Sequence, residues 1–289
     1  MAMFENLKKG WAIGKATRKL VFEDKDLFMY PLVSAFAVVL EVVAIFLLSA
    51  PLLNNPALQY YYLLPLFAVY VAVTFTSTYI ILAMFIAFRS FASGRKISFR
   101  DAFSQVKSYA TLILEWSVFY SIVLIAVRML ESRLRGITGL LLGATVSIAI
   151  GLSTLFVVPV ILEDKLGPIA ALKSSASFII KNFGQSFGGL VYADLYSLAI
   201  VAVGILTIFA GLASALMVNF LFGAVIGIVG ILILVIGVMI GYLLSNLFKL
   251  ILYDFIKYNR IPNGFTKDML KSSTKTRKSK INGSASGNI

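Results

Sequence analysis

Six apolar stretches, each long enough to cross a lipid bilayer, constrain this chain more than any other feature of its sequence. A helix of about 20 apolar residues spans the ~30 Å hydrocarbon layer, whereas a barrel strand would show alternation over ~10 residues. The sequence therefore predicts an all-α polytopic membrane bundle with six transmembrane helices. The six stretches cover residues 29–53, 60–88, 109–130, 138–162, 187–215 and 219–250.

Basic residues distinguish the two sides of the predicted bundle. Of the 26 Lys and Arg residues, 23 lie in the N-terminal segment, the second and fourth connections and the C-terminal segment. The other three, Arg128, Arg133 and Arg135, lie in the third connection. Because basic loops are retained on the cytoplasmic side, we expect a multi-pass protein of the cell membrane with both termini in the cytoplasm.

Short connections predict that the six helices pair into three hairpins. The turn at Asn54-Asn55-Pro56 and the turn at 215–219 place the first two and the last two helices side by side. We divide the chain into a cytoplasmic N-terminal amphipathic helix (1–28), a six-helix transmembrane domain (29–262) and a basic cytoplasmic tail (263–289). The tail has few apolar residues, so we expect it to be disordered.

Three segments predict short amphipathic helices at the inner leaflet, one before each pair of spans. Ser98 and Asp101 predict a capped start for the second helix, and Pro168 predicts the first position of the third. Arg18 falls within the apolar sector of the first. The sequence leaves open whether the three form an internal repeat or are independent. Their apolar stripes are Phe4, Leu7, Trp11, Gly14 and Val21, then Phe99, Ala102, Phe103, Val106 and Ala110, then Ile169, Leu172, Ala176, Ile179 and Phe183.

The composition excludes several classes of chemistry. The chain is 60% hydrophobic and contains no Cys and no His, which rules out disulfides, thiolate nucleophiles, Cys/His zinc sites and His-based acid–base catalysis. No phosphate-binding loop, nucleophile elbow or zinc-protease motif is found. We therefore expect no enzymatic activity, no cofactor and no metal site. The net charge of +13 favours anionic head groups of the bilayer, rather than nucleic acid, as the partner.

Three acids lie within the predicted spans: Glu41, Glu115 and Asp194. A charged acid at the centre of a span costs about 2.5–3.5 kcal/mol, and no Lys or Arg lies deep enough in a span to pair with them. One interpretation is a set of neutral carboxyls hydrogen-bonded to hydroxyls of neighbouring helices. The other is a proton or cation path, in which Glu41 would be the main residue. Candidate polar neighbours are Thr74, Thr76, Ser77, Thr78, Ser153, Thr154, Ser245 and Asn246.

Small residues recur at intervals of about four in two of the spans. Such faces let helix backbones approach closely in lipid. They could serve packing within one subunit, an interface with a second copy or another membrane protein, or a flexible gate. Two prolines, Pro65 and Pro159, lie inside or at the ends of spans, where we expect kinks rather than a broken-helix substrate site. The glycines are Gly139, Gly143 and Gly151 in the fourth span, and Gly223, Gly227, Gly237 and Gly241 in the sixth.

Several strings taken together resemble a family of prokaryotic multi-pass membrane proteins of unknown function. The most distinctive string runs from Leu166 to Ser175, LGPIAALKSS, and the others are Gly10-Trp11, Lys25-Asp26 before Pro31–Ser34, Val157–Val160, and Tyr258 before Ile261–Phe265. The resemblance covers about residues 4–265. It implies the six-span arrangement with short inner-leaflet helices, and it transfers no catalytic or ligand-binding residue.

Two functions fit these observations. The leading hypothesis is a non-enzymatic integral membrane protein that organises the bilayer or protein partners, because interfacial helices and close-packing faces dominate the sequence. The alternative is a small-solute or ion transporter, coupled to protons, that uses the intramembrane acids.

Overall fold

The protein is described here by a computed structural model that covers residues 2–53, 63–133 and 136–260, with side chains at 10–51, 63–130, 143–184 and 187–260. The described residues are 92% helical and contain no strand. Within the described residues, six helices are long and apolar enough to cross a membrane, which confirms the predicted fold class. The chain divides into two compact units: the first unit comprises residues 1–28 and 182–289, and the second unit comprises residues 29–181.

The helices differ widely in length, and the longest is α10. At 1.5 Å per residue its 39 residues extend about 58 Å, well beyond the ~30 Å hydrocarbon layer. The bounds are α1 Ala2–Glu23, α2 Met29–Leu53, α3 Leu63–Ala92, α4 Phe99–Val106, α5 Ala110–Arg133, α6 Gly136–Thr154, α7 Val157–Asp164, α8 Pro168–Lys181, α9 Phe183–Met217 and α10 Phe220–Tyr258.

Two residues separate the long helices of the first unit. Helix α9 ends at Met217 and α10 begins at Phe220. The side chain of Asn219 caps α10 by accepting a hydrogen bond from the Leu221 N–H at 2.8 Å. This confirms the tight turn predicted at 215–219. The turn predicted at Asn54-Asn55-Pro56 and the tail 263–289 lie outside the described residues.

In the first unit, α1 packs against α9 and α10. Its buried side chains are Ile13, Thr17, Leu20 and Val21, whereas Trp11 is 41% exposed. Of the predicted stripe, Gly14 and Val21 are buried and Trp11 is exposed, while Phe4 and Leu7 lie outside the described side chains. Arg18, which interrupted the predicted stripe, places its guanidinium 4.8 Å from the centre of the Tyr196 ring.

In the second unit, α3 packs against α2, α4 and α5. Aromatic side chains of α2 and α3 hold α4 in place. The ring centres of Tyr30 and Phe99 are 4.9 Å apart, and the Tyr79 hydroxyl donates to the Phe103 carbonyl at 3.0 Å. The Ser98 hydroxyl accepts from the Asp101 N–H at 3.1 Å and donates to the Asp101 carboxylate at 2.7 Å. The predicted start of this helix is confirmed.

The fourth span is broken rather than kinked. Helix α6 ends at Thr154 and α7 begins at Val157, so Leu155 and Phe156 leave the helix. Pro159 has no N–H, and its ring excludes a helical carbonyl at position 155. The freed Phe156 N–H donates to the Ser175 hydroxyl at 3.0 Å in a buried position. Pro65, by contrast, is the third residue of α3, where N–H groups have no intrahelical partner, and the helix continues through it.

Helix α8 begins at Pro168, as predicted, and its buried face includes Ile179 of the predicted stripe. Its buried residues are Ala171, Ser175, Phe178 and Ile179, whereas Ile169 is 58% exposed. Ser175 is buried on this face because its hydroxyl accepts from the Phe156 N–H at the break before α7. Phe178 completes this contact, with its ring 4.6 Å from that of Phe156.

Candidate functional site

Glycines bring the backbones of α9 and α10 into direct contact. A Cβ atom on Gly211 would lie 2.6 Å from the backbone nitrogen of Gly227. A Cβ atom on Gly230 would lie 2.7 Å from the nitrogen of Ile208. Carbon contacts are normally about 3.5–4.0 Å, so no larger residue fits at these positions without moving a helix.

Most of the contacting small residues repeat every seven positions, although Gly241 also contacts α9 four positions after Gly237. On α10 they are Gly223, Gly230 and Gly237. On α9, Ser197 lies against Gly241 and its hydroxyl donates to the Gly237 carbonyl at 2.8 Å. A seven-residue period is typical of helices that wrap around each other with a left-handed crossing. Three contacting glycines that sequence reasoning missed, Gly204, Gly211 and Gly230, follow this spacing.

The other predicted glycine positions differ in their surroundings. A Cβ atom on Gly227 or on Gly151 would meet no atom within 4 Å, and Gly143 is buried in α6. Gly139 lies in α6, but its surroundings fall outside the described side chains. In the described part of the fourth span, the glycines therefore do not form one close-packed face.

Glu41 has a hydroxyl partner on the neighbouring helix. Its Oε1 accepts a hydrogen bond from the Thr76 hydroxyl, which joins α2 to α3. Its Oε2 is buried and has no hydrogen-bond partner among the described residues. A carboxyl with one oxygen bonded and one free can hold a proton, so this pair agrees with either interpretation of the intramembrane acids.

Asp194 has two polar neighbours on α10. The Ser245 hydroxyl donates to Asp194 Oδ1 at 3.2 Å, and Lys249 interacts electrostatically with the same carboxylate. Lys249 is thus a basic residue near an intramembrane acid, which the sequence did not predict. Lys249, near the end of the predicted sixth span, lies one turn after Ser245 on the same face of α10.

Glu115 lies close to the start of α8. Its Oε2 is 3.9 Å from the position that a Cβ on Gly167 would occupy, one residue before Pro168 opens the helix. The N-terminus of a helix favours a nearby carboxylate. Each acid thus has its own local surroundings, and the described residues contain no group of three acids that could hold a metal ion.

Several polar residues that were predicted near the acids form hydrogen bonds to backbone carbonyls of their own helices. The Ser153 hydroxyl donates to the Ala149 carbonyl at 2.7 Å, and the Thr154 hydroxyl donates to the Gly151 carbonyl at 3.0 Å. Both line an apolar cavity of about 220 Å³ together with Trp116. Of the candidate neighbours, the structure pairs Thr76 and Ser245 with acids.

An ion pair joins two helix ends in the second unit. Arg89, one turn before the end of α3, pairs with Glu163, the next-to-last residue of α7. The side chain of Glu163 is 8% exposed and that of Arg89 is 26% exposed. The pair places the ends of these two helices on the same side of the second unit.

Beside this pair lies an open cavity of about 640 Å³, which we call the corner cavity. Its wall combines two arginines with hydroxyl and amide side chains, and it includes an apolar edge. Sequence reasoning did not identify it, although the string Arg89-Ser-Phe-Ala-Ser-Gly-Arg95 was a signal. Its residues are Ile86, Arg89, Ser90, Ser93, Arg95, Ile97, Ser104, Gln105, Ser108, Tyr109 and Leu162.

The loop that forms one wall of the corner cavity is held by short local hydrogen bonds. The Ser90 hydroxyl donates to the Arg95 carbonyl at 2.5 Å, and the Arg95 N–H donates to the Ser90 carbonyl at 2.9 Å. Between them Gly94 has φ of 76°, a left-handed conformation that glycine adopts without strain. The wall is therefore a defined turn that presents Arg95 at its surface.

These features define a helical membrane protein with polar surfaces at the helix ends of its second unit. The chain belongs to the family of unknown function DUF6159, whose family model matches residues 57–263. The predicted resemblance to an uncharacterised family is thereby confirmed. Comparisons with curated proteins and with solved structures find no match.

Proposed function

We propose that this chain is a non-enzymatic, multi-pass protein of the cell membrane, with both termini in the cytoplasm, that organises lipids or protein partners at the inner leaflet. The main supporting observation is the surface at the helix ends of the second unit. There, short helices with basic side chains lie beside the ends of long apolar helices.

The ends that charge asymmetry assigns to the cytoplasm lie together within the second unit. The Arg89–Glu163 pair links the end of the second span to the end of the fourth. Glu115, near the start of the third span, lies beside Gly167 in the connection that follows the fourth. This arrangement supports one cytoplasmic face in the second unit, as the basic connections predict.

Helix α8 has the surface of an interfacial helix. It buries one face against protein and leaves Ile169 and Ile180 exposed at 58% and 76%. Lys173 and Lys181 are also exposed on this helix. Apolar side chains next to basic ones suit the boundary between acyl chains and anionic head groups.

The orientation is testable because the chain contains no native Cys. A Cys introduced at Asn219, between α9 and α10, should react with an impermeant thiol reagent added outside intact cells. A Cys introduced at Ser177, an exposed position of α8, should react after the membrane is permeabilised and not before. External labelling at Ser177 would contradict the proposed orientation.

The organising role is testable with the purified protein in giant vesicles that contain a small fraction of labelled anionic lipid. Anionic lipid should be enriched around the protein, and the enrichment should fall as salt rises, because salt screens charges over ~8 Å at physiological ionic strength. Replacing Lys173 and Lys181 together by Gln should reduce the enrichment. The matched control is Arg128→Gln, on the face predicted to be external, which should leave it unchanged. An even lipid distribution around the wild-type protein would contradict the role.

The second candidate function, proton-coupled transport, rests on the Glu41–Thr76 hydrogen bond and the free Glu41 oxygen. If the organising role is correct, proteoliposomes should show no proton-coupled flux, and Glu41→Gln should fold and sort lipid like the wild type. Thr76→Val, which removes the hydroxyl but keeps the carboxyl, is the control for folding. Flux in the wild type that Glu41→Gln abolishes would favour transport, because an amide does not cycle a proton.

A further inference from the structure

We infer that the corner cavity binds the phosphate group of an anionic lipid whose head group is a polyol, and that Arg95 is the main cationic contact. This inference deepens the proposed function by naming a ligand class and a site. It rests on the shape, the charge and the hydrogen-bonding capacity of the cavity.

The size and position of the corner cavity suit a lipid head group. Its volume of about 640 Å³ lies within the ~300–1,000 Å³ typical of small-molecule sites. Arg89 and Ser90 are in the last turn of an apolar helix, and Ile86 is one turn further into that helix. Ile86 and Leu162 therefore give the cavity an apolar edge on the side where acyl chains would leave it.

The charge of the corner cavity favours an anion. Arg89 and Arg95 line it, and none of its lining residues is an acid. Glu163 balances the charge of Arg89, whereas Arg95 is exposed at the surface of the loop. A guanidinium offers a planar set of donors that matches two phosphate oxygens, so Arg95 can form paired, charge-assisted hydrogen bonds.

The hydroxyl groups of the corner cavity favour a polyol over choline. Ser90, Ser93 and Ser108 each donate their hydrogen to a backbone carbonyl, at 2.5, 2.8 and 2.9 Å. Their oxygens are therefore left as acceptors. Glycerol or inositol hydroxyls can donate to such acceptors, but the choline group has no N–H or O–H that can donate. The Gln105 side chain adds both a donor and an acceptor to the wall.

The test is a titration of the full chain in detergent with short-chain phosphatidylglycerol. The wild type should bind it saturably, and Arg95→Gln should weaken binding by about tenfold or more, the factor for losing one charge-assisted contact. The matched control is Arg100→Gln, an exposed cation on α4 that does not line the cavity, and it should bind like the wild type. Arg95→Lys should bind with intermediate affinity, because it keeps the charge and loses the planar donors.

Three further ligands test whether the bound phosphate belongs to a lipid or to a small soluble molecule. Short-chain phosphatidylcholine, glycerol 3-phosphate and inorganic phosphate should each bind more weakly than phosphatidylglycerol. Equal binding of phosphatidylcholine would overturn the polyol preference, and equal binding of glycerol 3-phosphate would overturn the lipid assignment. Equal weakening by Arg95→Gln and Arg100→Gln would show diffuse attraction and overturn the site.

This outcome is separable from that of the proposed function. Loss of saturable binding in Arg95→Gln leaves the lipid enrichment that depends on Lys173 and Lys181. Conversely, an even lipid distribution in vesicles would contradict the organising role while the saturable site remained. Thermal unfolding of Arg95→Gln in detergent should match that of the wild type, because the side chain is exposed on a loop.

Discussion

Gly211→Ala should destabilise the protein by about 2 kcal/mol or more, although the change adds one methyl group. The new Cβ would lie 2.6 Å from the backbone nitrogen of Gly227 and 2.8 Å from the carbonyl oxygen of Gly223. These are backbone atoms of α10, so relief requires the two helices to separate. Overpacking typically costs about 1–3 kcal/mol, and a clash with backbone belongs at or above the upper end. The ~1 kcal/mol that alanine gains in helix propensity does not offset it.

The matched control is Gly227→Ala, on the helix opposite Gly211. Its Cβ would meet no atom within 4 Å, so the substitution gains helix propensity without a steric clash. We expect this variant to be neutral or up to about 1 kcal/mol more stable than the wild type. Thermal midpoints of the three proteins in one detergent, followed by size-exclusion chromatography, measure the difference. Equal midpoints for Gly211→Ala and Gly227→Ala would contradict the close contact of α9 and α10.

The features of the fold that depend on local sequence, namely helices, caps and one turn, were predictable from the sequence. The six apolar helices follow from composition, because backbone groups in lipid must be satisfied within each segment. Ser98 and Asp101 gave the start of α4, and Pro168 gave the start of α8, because capping needs only residues within one turn. The turn at 215–219 followed from the end of one apolar stretch and the start of the next.

Features that depend on distant contacts were not predictable in detail. The stripes of α1 and α8 were assigned from hydrophobicity, yet Thr17 and Ser175 are fully buried. Their hydroxyls satisfy backbone carbonyl and N–H groups, so small polar residues occupy positions that hydrophobicity scoring leaves exposed. The glycine faces were assigned at four-residue spacing because each helix was considered by itself. The seven-residue period appears when α9 and α10 are compared with each other.

The corner cavity depends on a contact between distant segments. Leu162 is more than fifty residues from the other residues of its wall, and the Arg89–Glu163 pair aligns the two helix ends. The sequence indicated a polar loop after α3, but not which helix end would lie opposite. The same limit applies to Glu41, whose partner Thr76 was one of several hydroxyls available on neighbouring spans.

Glu163→Ala should destabilise the protein by about 2–3 kcal/mol, because it leaves the Arg89 guanidinium without its carboxylate at a largely buried position. Breaking a fully buried ion pair typically costs about 3–5 kcal/mol, and the partial exposure of Arg89 lowers that value. Glu163→Gln should be milder, since the amide oxygen still accepts a hydrogen bond. Thermal or denaturant unfolding in detergent measures both changes, provided that the transition is reversible.

A double-mutant cycle separates the ion pair from its surroundings. Arg89→Met and Glu163→Met each remove one partner of the ion pair, whereas the double variant replaces the pair by two apolar side chains. Such replacements are often neutral, so the double variant should be more stable than either single variant. The coupling free energy from the cycle should exceed about 1 kcal/mol, a value typical of contacting residues in one network. Simple additivity of the two changes would show that Arg89 and Glu163 do not hold the ends of α3 and α7 together.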